Sequence, residues 1–490
     1  MKFKQSVFLL LIVCITHASF AQDKASETVY KKRVLETAEV EFLTSYYTQK
    51  GNTASVTGGI GNEKLTDITP TIVISLPLNA DDVLTIDAGI STYTSASSSN
   101  LDPFDGSTGA SSGGGDDEDD GEDDGGVNPT GSPWVASSGA SKQDTWGSLN
   151  VGYSHSSDDR NNIWNANVSF ATEYDYTSIG FGGGFTKLFN QKNTELSVNA
   201  NVYLDTWSPK YPTELDSYLE AGNSINSGFF NGIDIFNDKY SPIDKTGNNG
   251  SIWQPKSASG LISDTSRNSY SLSFSFSQIL NKNAQFSVFF DIVQQKGWLA
   301  NPMQRVYFGD VNNFYIGNPS SIPNYTSSSN TDVFQLADDI ERLPDSRLKI
   351  PIGLRFNQYV NESVSIRTYY RYYYDDWGIN SHTANITVPI KISEKFTLYP
   401  SYRYYSQTSA DYFAPYEENL STSEFYTSDY DLSKFNANQY GFGFSYKDVF
   451  AKWHIWKLGL KSIDVKFNNY KRNTGLNANI ISAGFKFVMD

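Results

Sequence analysis

Hydrophobic and polar residues alternate along most of the chain. Between Thr194 and Thr206, leucine, valine and alanine occupy every second position and polar residues lie between them. This period of two predicts β-strands with one apolar and one polar face. Most of the sixteen candidate segments are 12–15 residues long. Strands of soluble proteins average about 5–6 residues, whereas tilted strands that cross a bilayer need at least about 9–11. The predicted strands are 38–50, 62–76, 82–96, 145–157, 161–174, 176–190, 193–206, 267–280, 283–297, 346–359, 362–375, 379–393, 395–409, 437–448, 457–470 and 476–489.

The connections between these strands alternate in length. Every very long one falls in the same alternate set, while the other set consists of short turns. The sequence therefore predicts an all-β fold, a transmembrane antiparallel up-and-down β-barrel of about 16 strands with short periplasmic turns and long extracellular loops. In the fifteenth strand the apolar parity changes, which predicts a β-bulge near Lys461 and Ser462. The long loops are 97–144, 207–266, 298–345 and 410–436.

The first residues have the pattern of a secretory signal peptide. Two lysines precede an apolar run, and Ser19 and Ala21 offer the small side chains that a cleavage site before Gln22 requires. We therefore expect a signal peptide over 1–21, a short periplasmic segment over 22–37, and the barrel over 38–490. The expected location is the outer membrane of a Gram-negative bacterium.

Composition excludes several classes of function. The 490 residues carry a net charge of -16, so binding to nucleic acid is not expected. The single cysteine, Cys14, lies in the predicted signal peptide, so disulfides, thiolate metal sites and cysteine nucleophiles are excluded. The three histidines beyond the predicted signal peptide give no Ser–His–acid arrangement, and we expect no enzymatic activity.

The polar face of each strand would line the lumen, and its charges are segregated along the chain. The first nine strands contribute mainly acids and the last seven mainly bases. Two interpretations are open: a hydrophilic pore whose transverse field orients polar solutes, or charge pairs that brace or close the lumen. The predicted acidic residues are Glu39, Glu41, Asp87, Glu173, Glu195, Asp205 and Asp291, and the predicted basic residues are Arg347, Lys349, Arg355, Arg367, Arg371, Lys391 and Arg403.

Two acidic segments are candidate metal sites. Residues 113–126 read GGGDDEDDGEDDGG, and Asp116, Glu118, Asp120 and Asp124 follow part of a calcium-loop spacing. The glutamate required at the twelfth place is replaced by valine, so a solvated acidic loop is the simpler interpretation and only weak calcium binding is compatible with it. No other cofactor is expected. Asp375, Asp376 and His382 could meet across a hairpin and hold a divalent metal, but a hydrogen-bonded hairpin is the simpler alternative.

Three segments carry a family resemblance. They are LPDSR at 343–347, RYYYDDWGINSHT at 371–383 and YPSYRYYSQTSADYFAPY at 399–416. The chain resembles an uncharacterised, domain-of-unknown-function family of Gram-negative outer-membrane β-barrel proteins. The resemblance implies the outer-membrane location, and it gives no activity or ligand. The gene neighbours associated with such proteins encode a small lipoprotein, a thioredoxin-like protein and a flavin transferase, which hints at envelope redox or metal handling.

Two functions follow as hypotheses. The first is a pore or transporter for polar solutes with a split-charge lumen. The alternative is a closed barrel that serves as a surface scaffold or docks a periplasmic or lipoprotein partner. In either case the barrel would contact outer-membrane lipid and lipopolysaccharide. The sequence does not name the solute or the partner.

Overall fold

The computed structural model describes residues 33–95, 144–247, 252–259, 265–330 and 332–489. Sixteen long strands form one closed, antiparallel, up-and-down barrel, so the predicted fold class is confirmed. The strands are β1 (Glu39–Lys50), β2 (Leu65–Pro77), β3 (Asp82–Ser95), β4 (Asp144–Ser156), β5 (Asn162–Thr172), β6 (Tyr176–Phe189), β7 (Thr194–Trp207), β8 (Thr265–Asn281), β9 (Ala284–Gly297), β10 (Ser346–Tyr359), β11 (Ser365–Asp375), β12 (Asn380–Thr387, continued by Ile390–Lys391), β13 (Phe396–Gln407), β14 (Phe435–Lys447), β15 (Leu458–Arg472) and β16 (Asn477–Met489).

The barrel closes where its first strand meets its last. β1 pairs with β2 on one side and with β16 on the other, with Phe42 opposite Phe485. Every other strand pairs with its neighbours in the chain, as up-and-down topology requires. Closure leaves no strand edge unpaired, which is the condition for a sheet to span a bilayer.

Alternation decides which side chains face outward. Val168 of β5, Phe181 of β6 and Phe442 of β14 are each at least half exposed in the isolated chain. They belong to the apolar set of their strands, so the apolar face lies on the outside of the barrel, where lipid would cover it. The alternate polar set therefore faces the lumen.

Two local departures from regular pairing have sequence causes. The β15–β16 register shifts between Leu460 and Ser462, which confirms the predicted bulge. β12 was predicted as continuous, but it is interrupted at Val388 and Pro389. Proline has no backbone N–H to donate to a ladder, so the regular strand pairing is interrupted there. The Val388 N–H still donates to the Pro400 carbonyl at 3.0 Å, which keeps the pairing with β13 in register.

The connections between the barrel strands carry the remaining elements. Among the described residues, no helix is both long and apolar enough to span a bilayer. The one α-helix described, α1, covers Thr213–Glu220. The short 3-10 helices are Ser55–Thr57, Asn190–Lys192, Gly228–Phe230, Lys256–Ser259, Pro319–Asn324 and Tyr430–Leu432, and the short strands outside the barrel ladder are Ile235–Asn237, Arg305–Val306, Phe314–Gly317, Val333–Gln335 and Asp339–Ile340. A further short strand, His454–Ile455, pairs with the start of β15.

Four extracellular connections pack together into what we call the cap: the described residues of 51–64, 208–264, 298–345 and 408–434. Backbone hydrogen bonds between Arg342 and Tyr426 join the last two connections, at 3.1 and 2.8 Å. The cap also has an apolar core of its own, so these loops are ordered by the same burial that orders a small domain. Its largest cluster contains Tyr211, Leu215, Tyr218, Ile225, Phe230, Ile233, Ile235, Trp253, Phe314, Ile316, Phe334, Leu336 and Ile340.

A fully buried ion pair crosses the cap. The Arg305 guanidinium donates from Nε to Glu214 Oε1 at 2.7 Å and from Nη2 to Oε2 at 2.9 Å. Its Nη1 donates to the Val56 carbonyl at 3.0 Å. Neither side chain of the pair is exposed to solvent. One guanidinium thus ties together the connections 51–64, 208–264 and 298–345.

Several carboxyl groups of the cap are buried and form no ion pair with any residue that the structure describes. Burial, with the charge of Asp429 adding to it, raises the pKa of Glu341 to about 8. Burial raises the pKa of Asp338 to about 7. The pKa of Asp429 is raised to about 6, mainly by burial and also by the charge of Asp431. The folded cap therefore favours the protonated forms of these groups.

We expect the cap to lose stability as the pH rises. In unfolded loops these carboxyls ionise near pH 4, but in the folded cap they hold their protons up to their raised pKa values. The free energy of cap unfolding should therefore fall between about pH 4 and pH 8. Urea titrations of the whole protein in detergent at pH 5 and pH 9, followed by tryptophan fluorescence to which the buried Trp253 of the cap contributes, would measure this. Glu341→Gln should flatten the upper part of the slope, and equal stability at both pH values would contradict the expectation.

Candidate functional site

Part of the predicted acidic wall is present in the lumen. Asp87, Glu195 and Asp291 lie on the polar faces of β3, β7 and β9. None of the three has a cationic partner within the described part of the chain. Glu173 and Asp205 lie apart from them; Glu173 directly follows the extracellular end of β5, and Asp205 lies near the extracellular end of β7. One half of the barrel thus presents carboxylates to the lumen.

At the seam between β1 and β16 the charges are paired. Glu39 accepts hydrogen bonds from Lys461 at 2.7 Å and from Lys486 at 2.6 Å. Lys486 also bonds Glu41 at 2.6 Å. These acids open the chain's first strand and the bases belong to its last two strands, which closure makes neighbours. At this seam the charges brace the lumen wall by pairing. Acidic residues from the start of the chain lie beside basic residues from its end, so the two signs of charge are not separated in space here.

The basic half of the wall contains a pocket of about 650 Å³. Four arginines on β10, β11, β13 and β15 contribute to it, together with three tyrosines and two glutamines. The one acidic residue in its lining, Asp431, comes from the cap connection above it. We call it the arginine pocket; it is lined by Arg355, Tyr369, Arg371, Thr383, Arg403, Tyr405, Gln407, Asp431, Phe435, Gln439, Tyr470 and Arg472.

Three of the four arginines have no anionic partner. Arg371 and Arg403 form no hydrogen bond or ion pair with any residue the structure describes, and Arg371 Nε is buried without an acceptor. The Arg355 guanidinium contacts aromatic rings alone, 5.0 Å from the centroid of Phe289 and 5.8 Å from that of Tyr369. Arg355 and Arg403 are exposed in the lumen and Arg371 is half-buried, so the three guanidiniums offer free N–H donors around one space that an anion would complete.

The fourth arginine, Arg472, connects the wall of the arginine pocket to the cap. Arg472 Nη1 donates to Asp431 at 2.5 Å and its Nε donates to the Tyr470 hydroxyl at 3.0 Å. Its guanidinium also lies 4.4 Å from the centroid of the Phe435 ring. Gln407 Nε2 donates to the Asp431 carbonyl at 2.9 Å. The cap and the barrel wall thus meet at the edge of the arginine pocket.

Sequence reasoning did not include Arg472 and Phe289 in the lumen. Arg472 shares the parity of the predicted inward Lys466, but the strand was expected to end at residue 470 and it extends to 472. Phe289 shares the parity of Asp291, and its ring lies over Gly353, where a Cβ atom would overlap it. The glycine leaves room for the stack of Phe289 on Tyr369, with centroids 5.8 Å apart, that supports Arg355.

The remaining predicted bases lie elsewhere. The Arg347 guanidinium bonds Asp375 at 2.5 Å and stacks over Trp377, 4.3 Å from its ring centroid. Lys391 pairs with Glu394 of a periplasmic turn at 3.1 Å. Lys349 lies opposite Asp375 in the β10–β11 ladder. Arg367 lines a separate space near the periplasmic end. The structure therefore brings together Arg355, Arg371 and Arg403, and places the other four outside the arginine pocket.

The structure does not assemble the hypothetical metal site of Asp375, Asp376 and His382. The fully buried Asp375 accepts hydrogen bonds from Arg347 and from the backbone N–H groups of Trp377 and Ile379. His382 shares the outward face with Tyr370, whose hydroxyl lies 2.7 Å from its Nδ1. Among the described residues, no group of three or more acidic, histidine or cysteine side chains is arranged to hold a metal ion. The hydrogen-bonded hairpin is the alternative that the contacts favour.

Two predictions fall on residues that the structure does not describe. The signal peptide over 1–21 precedes the first described residue, 33. The acidic run with Asp116, Glu118, Asp120 and Asp124 lies between residues 95 and 144, where the description stops and resumes. Both stay predictions.

Sixteen antiparallel strands with an apolar outside and a charged lumen define an outer-membrane type of β-barrel. Within that class, the chain belongs to the family described as "Protein of unknown function (DUF3570)", which it matches over residues 9–484. The resemblance drawn from the three sequence segments is thereby confirmed. No curated protein matches the sequence significantly.

Several solved structures are similar in architecture. The chain aligns with a structure titled "Bacterial polysaccharide outer membrane secretin" at 10% identity and a TM-score of 0.41, over 93% of this chain and 100% of that one. A FadL homologue from Pseudomonas aeruginosa aligns at 9% identity and a TM-score of 0.37, over 93% and 91%. The toluene transporter TodX of Pseudomonas putida aligns at 8% identity and a TM-score of 0.36, over 93% and 90%. Structural similarity at such low sequence identity and TM-score does not indicate what this chain binds or transports.

Proposed function

We propose that this protein is a pore or transporter for polar solutes in the outer membrane of a Gram-negative bacterium, and that its arginine pocket binds the anionic group of the solute. The observation that carries the proposal is the set of three guanidiniums, those of Arg355, Arg371 and Arg403, that share one lumenal space and have no anion within the described residues.

The chemistry of the arginine pocket suits carboxylate or phosphate groups. A guanidinium offers paired N–H donors that match two oxygens of such a group. Tyr405 and Gln439 add neutral hydrogen-bonding groups to the wall. The carboxylates of Asp87, Glu195 and Asp291 lie on the other half of the barrel. A solute in the lumen would experience the resulting transverse field and turn its negative end toward the arginines.

Neutralising the pocket should change ion selectivity. We expect the triple variant Arg355→Gln, Arg371→Gln, Arg403→Gln to shift the permeability of the purified protein from chloride toward potassium. The shift should be larger at low salt, because screening over about 10 Å at 0.1 M weakens as salt is diluted. The measurement is the reversal potential in planar bilayers under a potassium chloride gradient.

Lys391→Gln is the matched control, because its ammonium is already paired with Glu394 and lies outside the pocket. It should leave the reversal potential nearly unchanged. A triple variant that keeps the selectivity of the wild type would remove the arginine pocket from the proposal. A conductance that appears only in the triple variant would mean that the arginines close the lumen instead of binding a solute.

The cap favours a second candidate function. Four connections pack together at the extracellular end, two of them around a common apolar core, and such a body is suited to docking a partner. A closed barrel could then act as a scaffold for a surface, periplasmic or lipoprotein partner, with a connection to envelope redox or metal handling suggested by the family resemblance alone. Absence of conductance in both the wild type and the triple variant, with unchanged stability, would favour this function over transport.

A further inference from the structure

A second lumenal pocket lies across the barrel from the arginines. Its cavity volume is about 470 Å³. Its walls come from the extracellular ends of β4 and of β6 to β9, and from the turn between β5 and β6. We call it the acidic pocket; it is lined by Trp146, Glu173, Asp175, Tyr176, Asp205, Trp207, Arg267, Ser269 and Gln295.

Asp205 is the unusual residue of the acidic pocket. The residue is 7% exposed, and its Oδ1 is buried with no donor in hydrogen-bond geometry among the described residues, although the Tyr176 hydroxyl lies close to the carboxylate. Its backbone N–H is satisfied by the side chain of Asn268 at 3.2 Å. A buried carboxylate oxygen without a donor costs free energy comparable to that of a lost hydrogen bond to a charged group. The missing group is therefore an N–H or O–H donor, and a positively charged one would fit best.

Three aromatic side chains, Trp146, Tyr176 and Trp207, form part of the wall. The Trp207 indole is held in place because its Nε1 donates to Asp175 at 3.0 Å. Tyr176 packs edge-on against it, with ring centroids 6.5 Å apart. The guanidinium of Arg267 already lies 5.7 Å from the centroid of Trp207. The pocket has three carboxylates against this one cation, so its net charge stays negative with Arg267 present.

We infer that the acidic pocket is a binding site for an organic ammonium group that carries at least one N–H. The N–H would donate to Asp205 Oδ1, and the charge would be stabilised by the carboxylates and by the faces of Trp146 and Trp207. A metal ion is a poorer occupant, since indole rings supply no metal ligands and the described residues include no metal-binding group. Binding in the acidic pocket does not require an open pore, so this inference can be tested independently of the transport proposal.

The test is binding of n-butylammonium to the full-length protein in detergent, measured by isothermal titration calorimetry at constant ionic strength. Tetramethylammonium, potassium and magnesium are the comparison cations. We expect n-butylammonium to bind more tightly than tetramethylammonium, which has no N–H. Asp205→Asn should weaken n-butylammonium binding by about tenfold or more, the equivalent of one charge-assisted hydrogen bond.

Asp291→Asn is the matched control, because Asp291 is also an inward carboxylate but does not line the acidic pocket. It should leave n-butylammonium binding unchanged. Trp146→Leu should weaken binding several-fold without altering the thermal stability of the unliganded protein. Magnesium binding that exceeds n-butylammonium binding, or an Asp205→Asn variant that binds n-butylammonium like the wild type, would overturn the inference.

Discussion

Replacing Glu214 with alanine is expected to destabilise the cap by about 3–5 kcal/mol, because it leaves the Arg305 guanidinium buried without its carboxylate. Both side chains of the pair are inaccessible to solvent, so water cannot replace the lost bonds. The barrel should persist, since its ladder does not include either residue. Hydrogen exchange measured by mass spectrometry should show lost protection over 208–247, while heat-modifiable gel migration stays that of a folded barrel.

Two controls separate the buried charge from other effects. The double variant Glu214→Leu, Arg305→Met removes both charges and should recover much of the protection, because apolar residues of similar volume often replace a buried pair without loss. Glu394→Ala breaks the exposed pair with Lys391 and should have no measurable effect on the cap. Full protection in Glu214→Ala would show that the ion pair does not hold the three connections together.

Phe274→Arg is expected to destabilise the barrel by about 2–4 kcal/mol, the cost of a cation on the lipid face near the bilayer midplane. Phe274 lies near the middle of β8, on its apolar face, and its ring stacks on Phe290 with centroids 5.1 Å apart. The measurement is the free energy of reversible unfolding in urea from phospholipid vesicles.

The adjacent position is the control. Ser273 faces the lumen and lies opposite Asp291 in the β8–β9 ladder. Ser273→Arg should cost much less than Phe274→Arg, because the new cation remains hydrated and has a carboxylate beside it. Equal costs for the two variants would mean that the inward and outward faces of β8 have been assigned wrongly.

Much of the barrel could be predicted because its signal is local. A period of two within each segment fixes that the segment is a strand and which face is apolar, and the parity change at Lys461 identified the bulge. The same parity placed Arg355, Arg371 and Arg403 on the lumen side. The ends of the strands were predicted less accurately than their faces. Arg472 was left out of the predicted lumen residues because β15 continues two residues past its predicted end.

The tertiary structure decided which charges meet. Glu39 and Lys486 are separated by nearly the whole chain, and barrel closure makes them partners. Asp375 and His382 are close in sequence, yet one is buried beside Arg347 and the other shares the outward face with Tyr370. Residue type and spacing can place a charge on a face, but pairing depends on which strands become neighbours.

The cap was the part of the structure that the sequence predicted least. Its connections have no sustained period of two, so the sequence indicated where they begin and end but not which residues they bring into contact. Leu215, Trp253 and Phe334 share one core although they come from two different connections. The sequence by itself determined the strands and their faces, since both depend on residues one or two positions apart. The cap, the seam and the two lumenal pockets depend on contacts between residues distant in sequence, and these exist only once the barrel has closed and its loops have packed.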